Sequence, residues 1–376
     1  MTGLTNAGRF LISRRAALAG LIAVPPLTAL GKDCDNQSVA ASLSKIGAGK
    51  GITVGAAISV QELNDEDKAL FLSEISSVTP ETEMKMAAIR PQREDWKFEP
   101  ADAIVEFAVT NQVGIRGHTL IWNNDQQPAW LNLLSTTDMQ AVMDEHIEVT
   151  MSRYAGRVKT WDVVNEAVGV VSYDSLTLRE GPFLARLGIE YIANSFKRAR
   201  SVDPGAMLVL NETHTERDDA FGLLYRRGLL ALLDLLLDQG APLDGVGLQG
   251  HIQSGVPFND AAYAEFLNEI SKRGLFIELT ELDVNDKGFP DDIAARDARV
   301  ADAYRRFLGI VLANKSVRSI SFWQLADRAS HYFADASYTE PGVSRRPRPL
   351  LFDLRYRPKP AFEAVLEVLK QAPKRS

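Results

Sequence analysis

Eight short apolar runs, separated by stretches of helical period, constrain the fold of this chain more than any other feature. They are Gly51–Ile58, Ser77–Thr79 ending at Pro80, Val113–His118, Val158–Val164, Met207–Asn211, Val246–Gln249, Phe276–Thr280 and Ser319–Phe322. Helical patterns lie between them at Lys68–Leu72, Ala101–Thr110, Thr137–Tyr154, Ile189–Arg200, Leu223–Leu237, Ala261–Lys272 and Ala294–Ala313. The runs are apolar on both faces, as strands enclosed between a barrel interior and a helix layer must be. This alternation predicts an α/β fold, a single (β/α)8 TIM barrel. No second hydrophobic unit and no Pro- or Ser-rich linker interrupts the pattern. One domain over residues 40–376 is therefore expected, without an appended binding module.

Composition narrows the partners. A formal net charge of −7 argues against nucleic acid, whose phosphates demand a basic surface, and does not repel an uncharged polysaccharide. The single cysteine, Cys34, excludes an intramolecular disulfide. Near the start, Arg14-Arg15 precede an apolar run from Ala16 to Leu30, the basic-then-apolar order of an export signal of twin-arginine type. The run contains Gly20, Pro25 and Pro26 and is too short to span a bilayer comfortably. Small residues at Ala29-Leu30-Gly31 offer a cleavage site, and the charges of Lys32 and Asp33 argue against a lipid anchor on Cys34. Residues 1–33 are thus read as an export signal, and the remainder as a periplasmic or secreted protein with no membrane attachment. A monomer is expected.

In a barrel of this kind the active site sits at the carboxyl ends of the strands. Taken in order, those ends carry Glu81 and Lys85, then His118 and Trp122, then Asn165 and Glu166. Asn211 and Glu212 follow the fifth run, Gln249 and His251 the sixth, Glu281 and Asp283 the seventh, and Trp323 the eighth. Polar and aromatic groups thus collect at one mouth, whereas a random polar loop seldom does so at every position. Glu166 and Glu281 form a carboxylate pair of the kind glycoside hydrolysis requires on opposite sides of a scissile bond. An arbitrary glutamate is more often a solvated or salt-bridged surface group. The strand-end position and the matched partner reverse that judgement.

The same residues carry a resemblance. Gly117–Trp122, Trp161–Ala167, Gly247–His251, Thr280–Asp283, Pro349–Asp353 and Pro358–Ala361 together resemble family 10 glycoside hydrolases, retaining endo-β-1,4-xylanases built on this barrel. The match covers nearly the whole chain after the signal, in the family's order. It implies that Glu166 is the acid/base and Glu281 the nucleophile, with His251 and Asp283 supporting Glu281. It further implies that Asn165 binds the 2-hydroxyl of the sugar beside the cleaved bond. Glu81, Lys85, His118, Trp122, Gln249 and Trp323 line the remaining sugar-binding wall on this reading. The implied substrate is xylan or a xylo-oligosaccharide.

Three departures from the family pattern bear on substrate choice. Thr82 stands where an Asn is usual, Ser330-His331 where a Ser-Trp pair is usual, and the loop Trp122–Pro128 is slightly extended. The alternatives left open are a sister activity on short xylo-oligosaccharides, aryl xylosides or β-glucans, and an idle carbohydrate-binding barrel. A purely structural protein leaves the polar strand ends unexplained. Trp161 is expected to pack the core, and Trp96, Trp130, His146 and His214 carry no site argument. The histidines show no metal-ligand spacing and no Gly-rich loop opens a helix, so neither a metal nor another cofactor is expected.

Overall fold

In a computed structural model, described for residues 42–375 apart from Asp125, 170–175, 335–337 and 339–344, the eight runs are the staves of a closed parallel barrel. They are β1 Thr53–Ile58, β2 Ser77–Pro80, β3 Gly114–Gly117, β4 Thr160–Asn165, β5 Met207–Glu212, β6 Gly245–Leu248, β7 Phe276–Asn285 and β8 Val317–Phe322. Neighbours pair in chain order, and β8 pairs with both β7 and β1, which closes the ring. Two short strands extend one mouth: Ile121–Trp122 adds to β4 and His251–Gln253 to β7. The second of these explains a difference from expectation. The seventh strand was expected to end at Thr280, yet it runs five residues further because Asp283–Asn285 find a partner in His251–Gln253.

The main helices are α1 Leu43–Lys50, α2 Asp65–Glu74, α3 Glu99–Thr110, α4 Thr136–Tyr154, α5 Glu190–Val202, α6 Ala220–Asp238, α7 Asp260–Lys272, α8 Ile293–Val311 and α9 Pro360–Gln371. Several begin before the apolar period starts, because a polar side chain caps the first free N–H groups. Ser135 accepts from Asp138 N at 3.1 Å, and Asp219 from Gly222 N at 3.0 Å. Helices α1 and α9 were not anticipated. The first is only eight residues with two glycines, one of which is needed: a Cβ on Gly47 would stand 2.7 Å from the Ile52 carbonyl oxygen. These two helices pack on each other, α1 on β1 and α9 on α8.

Trp161 is fully buried, as expected, with its ring pressed against β3. A Cβ on Gly117 would come within 2.2 Å of that ring, so the glycine is a packing requirement. The segment after β8 is held by a buried ion pair. Lys359 Nζ lies 3.1 and 3.0 Å from the two Asp327 oxygens and also donates to the Arg348 carbonyl at 2.7 Å. Asp327 accepts the Leu350 N–H at 3.0 Å as well. The Pro349–Asp353 and Pro358–Ala361 motifs are therefore a latch holding the chain that leaves the eighth strand. The expected export signal and Cys34 lie outside the described residues. Among the described residues no helix is long and apolar enough to cross a membrane.

Candidate active site

β4 and β7 are separated by β5 and β6 on the shorter way round the barrel, and it is those two intervening strands that link the carboxylates. Asn211, at the end of β5, donates from Nδ2 to Asn165 Oδ1 and to Glu281 Oε1, both at 2.8 Å. A carboxylate only accepts, so the Asn211 nitrogen must face Glu281. Its oxygen correspondingly takes the Thr280 hydroxyl at 2.7 Å. Gly247 makes room for this: a Cβ there would stand 2.2 Å from Asn211 Oδ1. Gln249, following β6, donates from Nε2 to Glu166 Oε1 at 2.9 Å.

Glu281 is buried, and its second oxygen takes His251 Nε2 at 3.2 Å. The other ring nitrogen of His251 lies 2.9 Å from Asp283 Oδ1, a contact that follows directly from strand pairing, since His251 and Asp283 are register partners. Burial pushes the Glu281 pKa up, but the His251 hydrogen bond and the charges of His118, His251 and Lys85 outweigh it and bring it down to about 2. For His251 burial works against the charged form; Asp283 and Glu281 overcome it and hold the pKa well above the ordinary imidazole range. The pair therefore rests as imidazolium and carboxylate.

Glu166 sits one residue beyond β4 with φ 51°, a left-handed conformation that is uncommon for a residue with a side chain. Its N–H is fixed by the Asn211 carbonyl at 2.8 Å. Arg179 holds it from the far side, with Nε donating to the Glu166 carbonyl at 3.0 Å and Nη2 lying 3.0 Å from Oε2. The next carboxyl along the mouth, Glu212, is fully buried and accepts the N–H groups of Val168 and Thr213. Burial raises its pKa to about 8, against the lowering effect of those two N–H groups.

The remaining predicted residues form the wall beside Glu281. Lys85 Nζ lies 4.9 Å from the Trp122 ring centre and 5.8 Å from that of Trp323. Trp122 is the register partner of Asn165, which sets the two residues side by side at the rim. His118 stands edge-on to Trp323 and is oriented by Asp162, 2.9 Å from its Nδ1. Asp162 is itself paired with Arg116, which also contacts Glu278. Glu81 accepts from Gln324 Nε2 at 2.6 Å; burial raises its pKa, Gln324 opposes that, and Glu62 adds to it. Of the departures, Thr82 is exposed, and His331 stands edge-on to His251. Among the residues given no role, His146 is fully buried against Trp96, while His214 meets Phe221 and Tyr225. Among the described residues no group of His, Cys, Asp and Glu side chains is placed to hold a metal ion.

The structure thus brings Glu166, Glu281, Asn165, Gln249, His251 and Asp283 into one hydrogen-bonded system and sets Lys85, His118, Trp122 and Trp323 beside it. Glu81 is on the same mouth but engaged with Gln324. Three contributors carried no role from the sequence: Asn211, named only as a strand end, Arg179 and Asp162. A strand-end signal existed for Asn211, and a charge inside an apolar run is a signal for Asp162. For Arg179 there was none.

The sequence pattern of glycosyl hydrolase family 10 matches residues 42–368. The chain belongs to this family. Family 10 membership makes it a glycosidase. Among its relatives, endo-1,4-beta-xylanase B of Thermotoga neapolitana is 35% identical over 318 residues, covering 82% of this chain and 85% of that protein. The beta-1,4-xylanase of Dictyoglomus thermophilum is 32% identical over 329 residues, covering 84% and 88%. Native xylanase 10B from Thermotoga maritima shares the barrel with a TM-score of 0.77 at 31% identity, over 88% of this family 10 chain and 98% of that one. Xylanase 10B from Thermotoga petrophila RKU-1, solved in complex with xylobiose, matches with the same TM-score of 0.77 and coverage.

Proposed function

We propose that this family 10 enzyme is a retaining endo-1,4-β-xylanase in which Glu281 is the nucleophile and Glu166 the acid/base. The observation that carries the reading is the pairing of buried Glu281 with the His251 imidazolium, itself backed by Asp283. Both oxygens of Glu281 are held by donors, Asn211 and His251, which keeps the group ionised and aimed. In the first step Glu281 bonds to the anomeric carbon while Glu166 gives its proton to the departing glycosidic oxygen. In the second, water gives a proton to Glu166 and its hydroxyl to the anomeric carbon, which frees Glu281. Gln249 steadies Glu166 through both steps. The Asn165 oxygen is occupied by Asn211, so its amide N–H groups are what it offers the sugar hydroxyl. Lys85, His118, Trp122 and Trp323 supply donors and flat apolar faces for hydroxyls and C–H patches of the same sugar.

The names of the relatives support xylan as substrate, with shorter chains the alternative that Thr82 and His331 leave open. Arg14-Arg15 and the apolar run behind them support export. The test is product analysis. Purified enzyme is incubated with xylan, xylo-oligosaccharides and cello-oligosaccharides, and internal fragments from xylan are expected first. The newly released anomer should be β; an α product would overturn Glu281 as nucleophile. Glu281→Gln should abolish turnover of every substrate. Glu166→Ala should spare aryl xylosides with good leaving groups, which need little protonation. No turnover of any of these sugars by the unaltered enzyme would leave a binding barrel instead.

A further inference from the structure

Asp283 carries more partners than the support of a single imidazole needs. Its Oδ1 accepts from His251 at 2.9 Å and from the Tyr332 hydroxyl at 3.1 Å. Its Oδ2 is buried and, among the described residues, accepts no hydrogen bond. His331 Nδ1 lies 3.6 Å from that oxygen, within ion-pair reach. The His331 ring stands edge-on to His251 with centroids 5.6 Å apart, and lies over Tyr332 at 4.1 Å. His331 is 38% exposed and open to solvent, whereas Asp283 is 1% exposed.

We propose that His331 is a second positioning residue for the nucleophile, acting through the outer oxygen of Asp283. The proposal rests on Glu281 being the nucleophile. One aspartate charge here serves two imidazoles. A cationic His331 draws on that charge and repels His251 across the gap between the rings, and both effects loosen the hold of His251 on its second proton. That proton is the one His251 Nε2 presents to Glu281. When Glu281 bonds to the sugar its negative charge is consumed, and Asp283 becomes the main group keeping His251 cationic. The state of His331 then decides how firmly it does so. The groups facing His331 are Asp283 on β7 and His251 on the strand after β6. Glu216, after β5, acts electrostatically on Asp283 and Tyr332, and Tyr332 and Tyr338 belong to the segment of His331 itself.

The chain has five histidines, so imidazole nitrogen resonances of the full protein can be followed individually by NMR. In the unaltered enzyme, His251 and His331 should each show a second inflection at the other's midpoint. In His331→Gln, His251 should lose that inflection and titrate about one pH unit higher. Independent single-step curves, or a His251 midpoint unmoved in His331→Gln, would overturn the proposal. The reciprocal inflection needs no variant, so it decides the matter even if His331→Gln fails to fold. Absence of xylan turnover would count against the assignment of Glu281 and leave the imidazole coupling still readable.

Discussion

Arg179 grips Glu166 twice, once at the backbone carbonyl and once at Oε2, each at 3.0 Å. The grip depends on two loops being tied together. Asn123 donates to the Arg179 carbonyl at 2.7 Å and accepts the Phe183 N–H at 2.9 Å, and a Cβ on Gly181 would strike Asn123 Oδ1 at 2.4 Å. The guanidinium thus stands against the Glu166 carboxyl as a fixed positive charge and orients it.

Arg179→Met should therefore release the Glu166 carboxyl from its fixed orientation. Loss of orientation should lower kcat on xylo-oligosaccharides by about tenfold or more, with a smaller loss on aryl xylosides that need little acid assistance. A kcat on xylo-oligosaccharides equal to that of the parent would remove Arg179 from the positioning of Glu166.

Asn211→Asp tests the bridge between the carboxylates. The substitution keeps the shape and replaces a donor to Glu281 with a second carboxyl about the 2.8 Å away that Asn211 now occupies. Two carboxyls at that separation do not both ionise readily, so they share a proton. The pKa of about 2 that Glu281 has now should be replaced by a higher apparent value, since burial already works in that direction. The acid limb of kcat/KM should rise by about two pH units, with a loss in rate of about a hundredfold or more at neutral pH. A pH–rate profile overlaying that of the parent enzyme would remove Asn211 from the catalytic system.

The difference between Asn211 and Arg179 shows what the sequence could disclose. The barrel was legible because each strand is buried on both faces and announces itself as an apolar run. Strand ends then located Glu166, Gln249 and Glu281 without further help. Asn211 stood at such an end, but its task is to point at two other side chains, and that follows from the register of β4, β5 and β7. Asp162 lies inside an apolar strand motif, where a lone charge marks a buried partner without saying which. Arg179 lies in a stretch without helical or strand period, and reaches Glu166 only because Asn123 folds one loop onto another. The continuation of β7 past Glu281 was likewise invisible, since its partner strand is only three residues long.

The latch after β8 should be sensitive to loss of one partner. Lys359 and Asp327 are both buried, and burial acts against both charges, lowering the Lys359 pKa and raising that of Asp327 to about 6. Lys359→Met leaves buried Asp327 with only Arg348, 4.0 Å away, as a cation, which should destabilise the fold by about 3–5 kcal/mol. Lys359→Met combined with Asp327→Asn should recover part of that loss, because no uncompensated charge remains. Urea midpoints for the parent, the single and the double variant measure both effects; a double variant no more stable than the single would show that Asp327 is not the source of the cost.

His146 should make the fold sensitive to mild acid. It is fully buried in α4 with its ring 6.0 Å from Trp96 and nearly parallel to it. Burial, then the charge of Arg90, lowers its pKa to about 3. Because the folded value lies below the unfolded value of about 6.5, the neutral ring contributes stability that is fully present above that pH. The contribution is lost progressively as pH falls toward the folded value. At pH 5 the loss is about 2 kcal/mol, from 1.4 kcal/mol per pH unit below the unfolded value. His146→Phe keeps an aromatic ring against Trp96 and removes the titrating group. Between pH 7 and pH 5 the parent should therefore lose about 2 kcal/mol more stability than the variant. Denaturant midpoints at the two pH values supply the comparison, and equal losses in both proteins would show that His146 is accommodated in its charged form.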